Sequence, residues 1–253
     1  MSRTVVRILA FASAVLLLGC TLDTFMFAGT PHEGPYDFSD TTIPADRFDP
    51  EGTFVTAEDG TRIHLHFVQS SGVYPDRADT TVFYCHGNTD HIGYYWNRVE
   101  LFYEMGYQVL IFDYRGYGRS DEVETTEAGV YQDAEAAFDH LLSLPEVDPD
   151  QVAFYGYSLG CAVCIEMATR YAAPPFALVV EAPFRSVADL VIDSAGASLD
   201  VGMVADIRFE NIDKIDHIGM PLLVIHGAQD DYIMPEYGQA LFDAAAEPKD
   251  LWL

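Results

Sequence analysis

The sequence predicts an α/β protein, a mostly parallel sheet wrapped by helices, from about residue 51 onward. Short apolar segments rich in β-branched and aromatic residues alternate with longer segments whose apolar residues recur at helical spacing. One apolar segment, residues 152–155, passes into a helical segment within a few residues. Alternation of this kind indicates a parallel sheet, because each helix covers a face of the sheet while the chain crosses to the next strand.

The strand-like segments follow in a regular order along the chain. The first two flank a turn at Gly60 and predict a hairpin at the start of the domain. The later ones are almost wholly apolar, which is typical of strands covered on both faces. The predicted strands are residues 54–56, 63–68, 82–85, 109–112, 152–155, 177–180 and 222–225.

Helical segments lie between these strands. Tyr95, Val99 and Phe102 share one face of a helix that ends at Gly106. Because this helix follows a buried strand, the aromatic cluster at residues 94–96 is expected to pack in the core, and the lining of an acyl pocket is the alternative. A second helix has apolar residues at Val130, Ala134, Ala137 and Leu141. Residues 184–218 show only weak periodicity and predict a small cap.

The most informative motif is Gly-Tyr-Ser-Leu-Gly at residues 156–160, between an apolar strand and an apolar helix. A strand that turns into a helix so abruptly holds the central residue in a strained conformation and exposes its side chain at the helix N-terminus. There the helix dipole and the first backbone N–H groups can stabilise an oxyanion. The motif therefore predicts a nucleophile elbow at Ser158, and a plain strand-to-helix turn is the alternative.

Four further segments extend this pattern. They are TVFYCHGNTD at 81–90, VLIFDYRGYGRS at 109–120, EAPFRSVADL at 181–190 and PLLVIHGAQDDYIMP at 221–235. Together with the elbow they resemble the α/β-hydrolase superfamily of serine hydrolases, in the family's order. The HGN turn and the DYRGYG loop are similar to the branch that includes depalmitoylases, monoacylglycerol lipases and related bacterial hydrolases. The resemblance implies an α/β-hydrolase fold with a small cap.

The resemblance also implies roles for particular residues. Ser158 is the expected nucleophile, and the backbone N–H groups of Asn88 and Leu159 are the expected oxyanion hole. Asp230, four residues after His226, is the expected acid. Asp231 is the alternative if the loop is counted back from Pro235, and Glu181 is a third candidate for the acid.

The base of the triad is missing from its expected position. In the family this histidine follows the eighth strand, and none of the chain's histidines lies so late. They are His32, His64, His66, His86, His91, His140, His217 and His226. We expect either a truncated C-terminal strand and helix or a hydrolase without its base, and a chain that stops inside a strand-like segment favours truncation.

The N-terminus predicts export and a lipid anchor. Two arginines precede a short apolar run that ends in Leu-Leu-Gly-Cys at residues 17–20, which resembles a bacterial lipoprotein signal. We expect a signal peptide at 1–19, lipidation of Cys20, a tether through residue 50 and a hydrolase domain at 51–253. The expected location is the bacterial cell envelope, outside the cytoplasm. An ordinary signal peptide or an uncleaved anchor is the alternative.

Charge and ligand-type residues narrow the possible partners. The formal net charge is −27, from 40 acidic and 13 basic residues, which argues against a nucleic acid partner and suits a high-salt medium. His64 and His66 share a strand face, but no third ligand accompanies them, so no metal is expected. Cys161 and Cys164 are expected to be buried thiols, and a disulfide from Cys85 to either is left open.

Two functional hypotheses follow from the sequence. The first is a lipid-anchored serine hydrolase that cleaves a small carboxylic ester or thioester through an acyl-enzyme, without a cofactor and with impaired activity as the 253-residue chain. The second is a non-catalytic hydrolase-fold lipoprotein that acts in binding or in envelope assembly.

Overall fold

The computed structural model describes residues 26–171, 175–195 and 207–253. These residues form one eight-stranded sheet in the order β1-β2-β4-β3-β5-β6-β7-β8. The strands are β1 Thr53–Thr56, β2 Arg62–Val68, β3 Thr81–Cys85, β4 Gln108–Phe112, β5 Val152–Tyr157, β6 Ala177–Glu181, β7 Leu222–Ile225 and β8 Lys249–Trp252. Strands β1 and β2 are antiparallel to their neighbours and the others run parallel, so the predicted mostly parallel sheet is confirmed.

Helices cover both faces of this sheet. They are α1 Ile92–Glu104, α2 Glu127–Ser143, α3 Leu159–Arg170, α4 Val187–Ala195 and α5 Pro235–Ala244. The side chains of β3 alternate between the two faces, as the pleat of a strand requires. Phe83 joins the larger core cluster, which includes residues of α2 and α3, and Tyr84 joins the smaller cluster with residues of α1.

Residues 26–50, named here the N-terminal strap, pack against the domain. The strap contributes Met26, Tyr36, Ile43 and Phe48 to the core. The Ala28 N–H donates to the Asn88 carbonyl over 3.0 Å, and the Asp90 N–H donates to the Ala28 carbonyl over 3.2 Å. The described part of the expected tether is therefore part of the folded body, which corrects the expectation from its missing periodicity.

The signal peptide at 1–19 and the anchor at Cys20 lie outside the described residues. Within residues 26–171, 175–195 and 207–253, no helix is long and apolar enough to cross a membrane. The expected cap is described in part, as α4 and residues 207–218. The Val187 N–H donates to the Arg208 carbonyl over 2.9 Å and thereby joins these two parts.

The loop after β7, which carries Asp230, meets the last strand at the edge of the sheet where the parallel strands have their carboxyl ends. Strand β8 pairs in parallel with β7, with Trp252 opposite Ile225. The His226 N–H donates to the Trp252 carbonyl over 2.9 Å. The loop that follows β7 therefore starts beside the end of β8.

Candidate active site

Ser158 lies between β5 and α3 in a backbone conformation that few residues adopt. Its φ is 52° and its ψ is −114°. The Ser158 N–H donates to the Glu181 carbonyl over 2.9 Å, which ties the turn to the end of β6. A non-glycine residue in such a conformation costs about 1–3 kcal/mol and is typical of functional sites. The geometry is that of the predicted elbow.

The two glycines of the motif allow this turn to close. A Cβ atom on Gly156 would lie 2.4 Å from the Gly160 carbonyl oxygen. A Cβ atom on Gly160 would lie 1.8 Å from the carbonyl oxygen of Cys85, at the end of β3. Both distances are far shorter than van der Waals contact, so α3 can approach the sheet this closely only because both residues lack a side chain.

Ser158 opens into a cleft of about 260 Å³ at the carboxyl edge of the sheet. The cleft is lined by Gly87, Asn88, Thr89, Tyr94, Tyr95, Tyr157, Ser158, Ala182, Asp230, Tyr232 and Ile233. A separate cavity of about 330 Å³ lies beside the strap, and none of the residues that line it lines the Ser158 cleft. We assign the candidate site to the smaller cleft because it holds the strained serine, together with Asn88 and Asp230.

The expected oxyanion hole combines two elements that meet at this cleft. Asn88 lies in the turn between β3 and α1, and its carbonyl accepts from the Ala28 N–H and, over 3.1 Å, from the Tyr117 hydroxyl. These bonds hold the backbone of the turn in place. Leu159 is the first residue of α3, where backbone N–H groups have no acceptor inside their own helix. Its side chain is buried and the cleft does not include it.

The three candidate acids differ in position. Asp230 lines the cleft, and one of its carboxylate oxygens accepts the N–H groups of Tyr232 and Ile233, each over 3.0 Å. Asp231 is exposed and is not among the residues that line the cleft. Glu181 accepts instead from Arg98 over 2.7 Å and from the Tyr155 hydroxyl. The structure brings only Asp230, of the three, into the cleft of Ser158.

Neither histidine at the strand ends is placed as a base for Ser158. His86 is buried, its Nδ1 donates to the Gly87 carbonyl over 2.7 Å, and burial lowers its pKa to about 4. The His226 Nε2 donates to the Ile233 carbonyl over 2.8 Å and lies 3.9 Å from Asp230. Within the described part of the chain, no histidine lines the cleft.

His64 and His66 serve the packing of the strap in this structure. The Nδ1 of His64 faces the buried carboxylate of Asp113 at 3.3 Å, and Asp113 also accepts from the Tyr36 hydroxyl. His66 donates to the Asp49 carbonyl over 3.0 Å. Over the described ranges, no group of histidine, cysteine and carboxylate side chains could hold a metal ion.

The cysteines in the described residues are buried. Cys85, Cys161 and Cys164 are free thiols, so the disulfide left open for Cys85 is not formed.

The aromatic cluster at residues 94–96 is divided between the core and the cleft. Trp96 packs in the core as expected, but Tyr94 and Tyr95 line the cleft, with Tyr94 60% exposed. The expectation of core packing is therefore corrected for Tyr94, because Tyr94 lies on the face of α1 away from its buried residues.

The sheet order and the strained serine after β5 define the class, which is that of the α/β hydrolases. The chain belongs to the family described as serine aminopeptidase, S33 (Hydrolase_4), which matches residues 76–207. It is 31% identical to the uncharacterised protein MT2364 of Mycobacterium tuberculosis, over 96% of this chain and 85% of that protein. It is 30% identical to the uncharacterised protein YfhR of Escherichia coli K12, over 82% and 72%.

Solved structures share the fold. The Pyrococcus furiosus esterase Pf2001 superposes with a TM-score of 0.70 at 19% identity, over 90% of this chain and 88% of that chain. The predicted α/β-hydrolase fold is thereby confirmed.

Proposed function

We propose that this protein is a serine hydrolase that cleaves a carboxylic ester or thioester through an acyl-enzyme on Ser158. The observation that carries the proposal is the strained serine in a cleft that it shares with Asn88 and Asp230. The family and the fold of an esterase from Pyrococcus furiosus support ester hydrolysis. A volume of about 260 Å³ and four tyrosines in its wall favour a small acyl group.

The proposed reaction has two halves. In the first, the Ser158 Oγ attacks the substrate carbonyl carbon, and the negative oxygen that forms accepts from the N–H groups of Asn88 and Leu159. The carbonyl reforms when the bond to the leaving alcohol or thiol breaks and that group takes a proton. In the second half, water attacks the acyl-enzyme in the same way, releases the carboxylic acid and restores the Ser158 hydroxyl.

A histidine has to carry the proton between Ser158 and the leaving group. The family resemblance puts this base after the eighth strand, where Asp230 would orient it and stabilise its cation. We propose that the 253-residue chain alone is a slow hydrolase, because no histidine among its described residues lines the cleft. Residual turnover of about 10³–10⁴ over water is expected from the oxyanion hole and binding.

Labelling of Ser158 tests the proposed nucleophile. A fluorophosphonate probe should modify the wild-type chain extended through a histidine after β8, and it should not modify Ser158→Ala. Ser143→Ala, which changes an exposed serine at the end of α2, should label like the wild type. If Ser158→Ala labels as strongly as the wild type, the nucleophile is assigned wrongly.

The base is tested by comparing the two chain lengths. Extension through the histidine should raise ester turnover by at least about 10³-fold. Full activity in the 253-residue chain that is lost in His86→Gln or His226→Gln would contradict the proposed base. If no folded form of the protein labels or turns over an ester, the alternative of a binding lipoprotein is favoured.

We also propose that the protein is anchored outside the cytoplasm through lipidated Cys20. The lipoprotein-like residues 17–20 support this, and they lie close in sequence to Met26, where the described chain begins. Detergent-phase partitioning should place the wild type in the detergent phase and Cys20→Ser in the aqueous phase. Aqueous partitioning of both would contradict the anchor.

A further inference from the structure

Tyr95 brings a buried hydroxyl to the turn that carries Asn88. It lies on the first turn of α1, and its ring stacks on His86 with centroids 4.9 Å apart. A Cβ atom on Gly87 would lie 2.6 Å from the Tyr95 hydroxyl oxygen, so the hydroxyl fits against the turn only because Gly87 has no side chain. Tyr95 also lines the cleft with Ser158. Its position is therefore fixed by both the helix and the turn.

The Tyr95 hydroxyl has a proton to donate. A phenol carries one O–H that can donate a hydrogen bond. Burial raises the pKa of the Tyr95 phenol, so the hydroxyl is protonated at neutral pH. It is a donor held between the expected oxyanion turn and the cleft.

We propose that the Tyr95 hydroxyl is a third donor to the oxyanion, beside the backbone N–H groups of Asn88 and Leu159. The inference rests on the proposed ester hydrolysis at Ser158. When Ser158 adds to the carbonyl carbon, the charge that develops on the carbonyl oxygen accepts a hydrogen bond from the Tyr95 O–H. No proton is transferred and no covalent bond to Tyr95 forms. A preorganised donor of this kind acts mainly on the transition state.

Tyr103 offers a matched control for Tyr95. It lies about two turns later on α1, packs against the same core cluster and does not line the cleft. Tyr95→Phe and Tyr103→Phe each remove a single hydroxyl from this helix. Of the two, only the Tyr95 hydroxyl lies against Gly87 in the cleft wall.

The experiment measures hydrolysis of p-nitrophenyl butyrate by the wild type, Ser158→Ala, Tyr95→Phe and Tyr103→Phe. All four are made in the chain extended through a histidine after β8, because removal of the serine costs little more in a chain that already lacks the base. We expect Tyr95→Phe to lower kcat about 10- to 100-fold, somewhat less than the loss of a principal oxyanion donor, with KM changed less than about threefold. Tyr103→Phe should stay within about twofold of the wild type, because Tyr103 does not line the cleft.

A transition-state analogue distinguishes a hydrogen-bond donor to the oxyanion from a residue that only stabilises the fold. The inhibition constant of a trifluoromethyl ketone, which forms a tetrahedral adduct on serine, should rise in Tyr95→Phe by a factor similar to the fall in kcat. A Tyr95→Phe variant with wild-type kcat, or one with a lower Tm and an unchanged inhibition constant, would overturn the inference. If the wild type and Ser158→Ala hydrolyse the ester equally, the proposed function fails first, and Tyr95 has no oxyanion to bind.

Discussion

At the scale of single residues, the site depends on the lack of a side chain at Gly156 and Gly160 as much as on Ser158. Their missing side chains let β3, β5 and α3 approach closely, and this approach puts the Asn88 turn beside the nucleophile. A steric requirement of this kind can be predicted from the motif, because it follows from the backbone alone. The contact between Gly160 and Cys85 cannot, since it joins residues far apart in the sequence.

Gly160→Ala should therefore destabilise the fold. The new methyl group would overlap the Cys85 carbonyl, and we expect a loss of about 3 kcal/mol, or a fall in Tm of about 6–12 °C. Gly219→Ala is the control, because a Cβ atom there meets no atom within 4 Å. Thermal unfolding followed by circular dichroism measures both. Equal melting temperatures for the two variants would contradict the close approach.

The acid can be tested by moving the change one residue along the loop. Asp230→Asn should lower fluorophosphonate labelling of the histidine-extended chain strongly, by up to about 10⁴-fold, since an amide cannot hold the histidine in its reactive tautomer. Asp231→Asn should have little effect, because Asp231 is exposed outside the cleft. Rates of labelling under identical conditions give the comparison. A larger loss in Asp231→Asn would show that the acid is Asp231.

At the scale of elements, the strands and the elbow could be predicted because their apolar periodicity is local. The strap could not, because its buried residues are isolated and separated by prolines and polar residues. Tyr36 and Phe48 each reach the core from a stretch that is neither helix nor strand. Likewise, the sequence predicts that Tyr95 and Val99 share a buried face of α1, but not that the start of this helix lines the Ser158 cleft.

The contact between β2 and the strap should make stability depend on pH. Burial is the main cause that lowers the pKa of His66 to about 3 in the folded chain, against about 6.5 when unfolded. As the pH falls from about 6.5 toward 3, the unfolded chain binds a proton that the folded chain does not. Between about pH 6.5 and 3, the free energy of unfolding therefore falls by about 1.4 kcal/mol for each pH unit because of this residue.

Replacement of His66 should remove this part of the pH dependence. Urea unfolding of His66→Gln at pH 7.0 and 5.0 should show a smaller loss of stability between the two values than the wild type shows. His217→Gln is the control, because its side chain is 71% exposed, and it should keep the wild-type loss. If His66→Gln also keeps that loss, His66 is not the group that titrates.

At the scale of the whole molecule, the net charge of −27 opposes the compact state. Forty acidic residues face only 13 basic ones, so the excess negative charges repel one another throughout the molecule. Salt screens such repulsion, with a Debye length that falls from about 10 Å at 0.1 M to about 3 Å at 1 M. Composition alone predicts this property, because it does not depend on the placement of individual residues.

Added salt should therefore stabilise the protein. We expect Tm to rise by roughly 2–4 °C for each kcal/mol of repulsion that is screened. Below about 0.3 M, sodium chloride and sodium bromide should act alike at equal ionic strength, since screening depends on charge and not on ion type. Scanning calorimetry in both salts measures the effect. A Tm that does not change, or that depends on the anion in this range, would contradict screening.

The turn between β3 and α1, which carries Asn88, is hydrogen-bonded to the strap. The Asp90 amide donates to Ala28, whereas the Tyr94 amide donates to His91 in its own helix. Deuterium can replace the Asp90 proton whenever the strap alone detaches, while replacement at Tyr94 requires the start of α1 to open. If the Asp90 amide exchanges faster than the Tyr94 amide, its exchange rate gives the free energy of detaching the strap from the domain. The order of the turn is thus coupled to a segment of the strap some 60 residues away in the sequence.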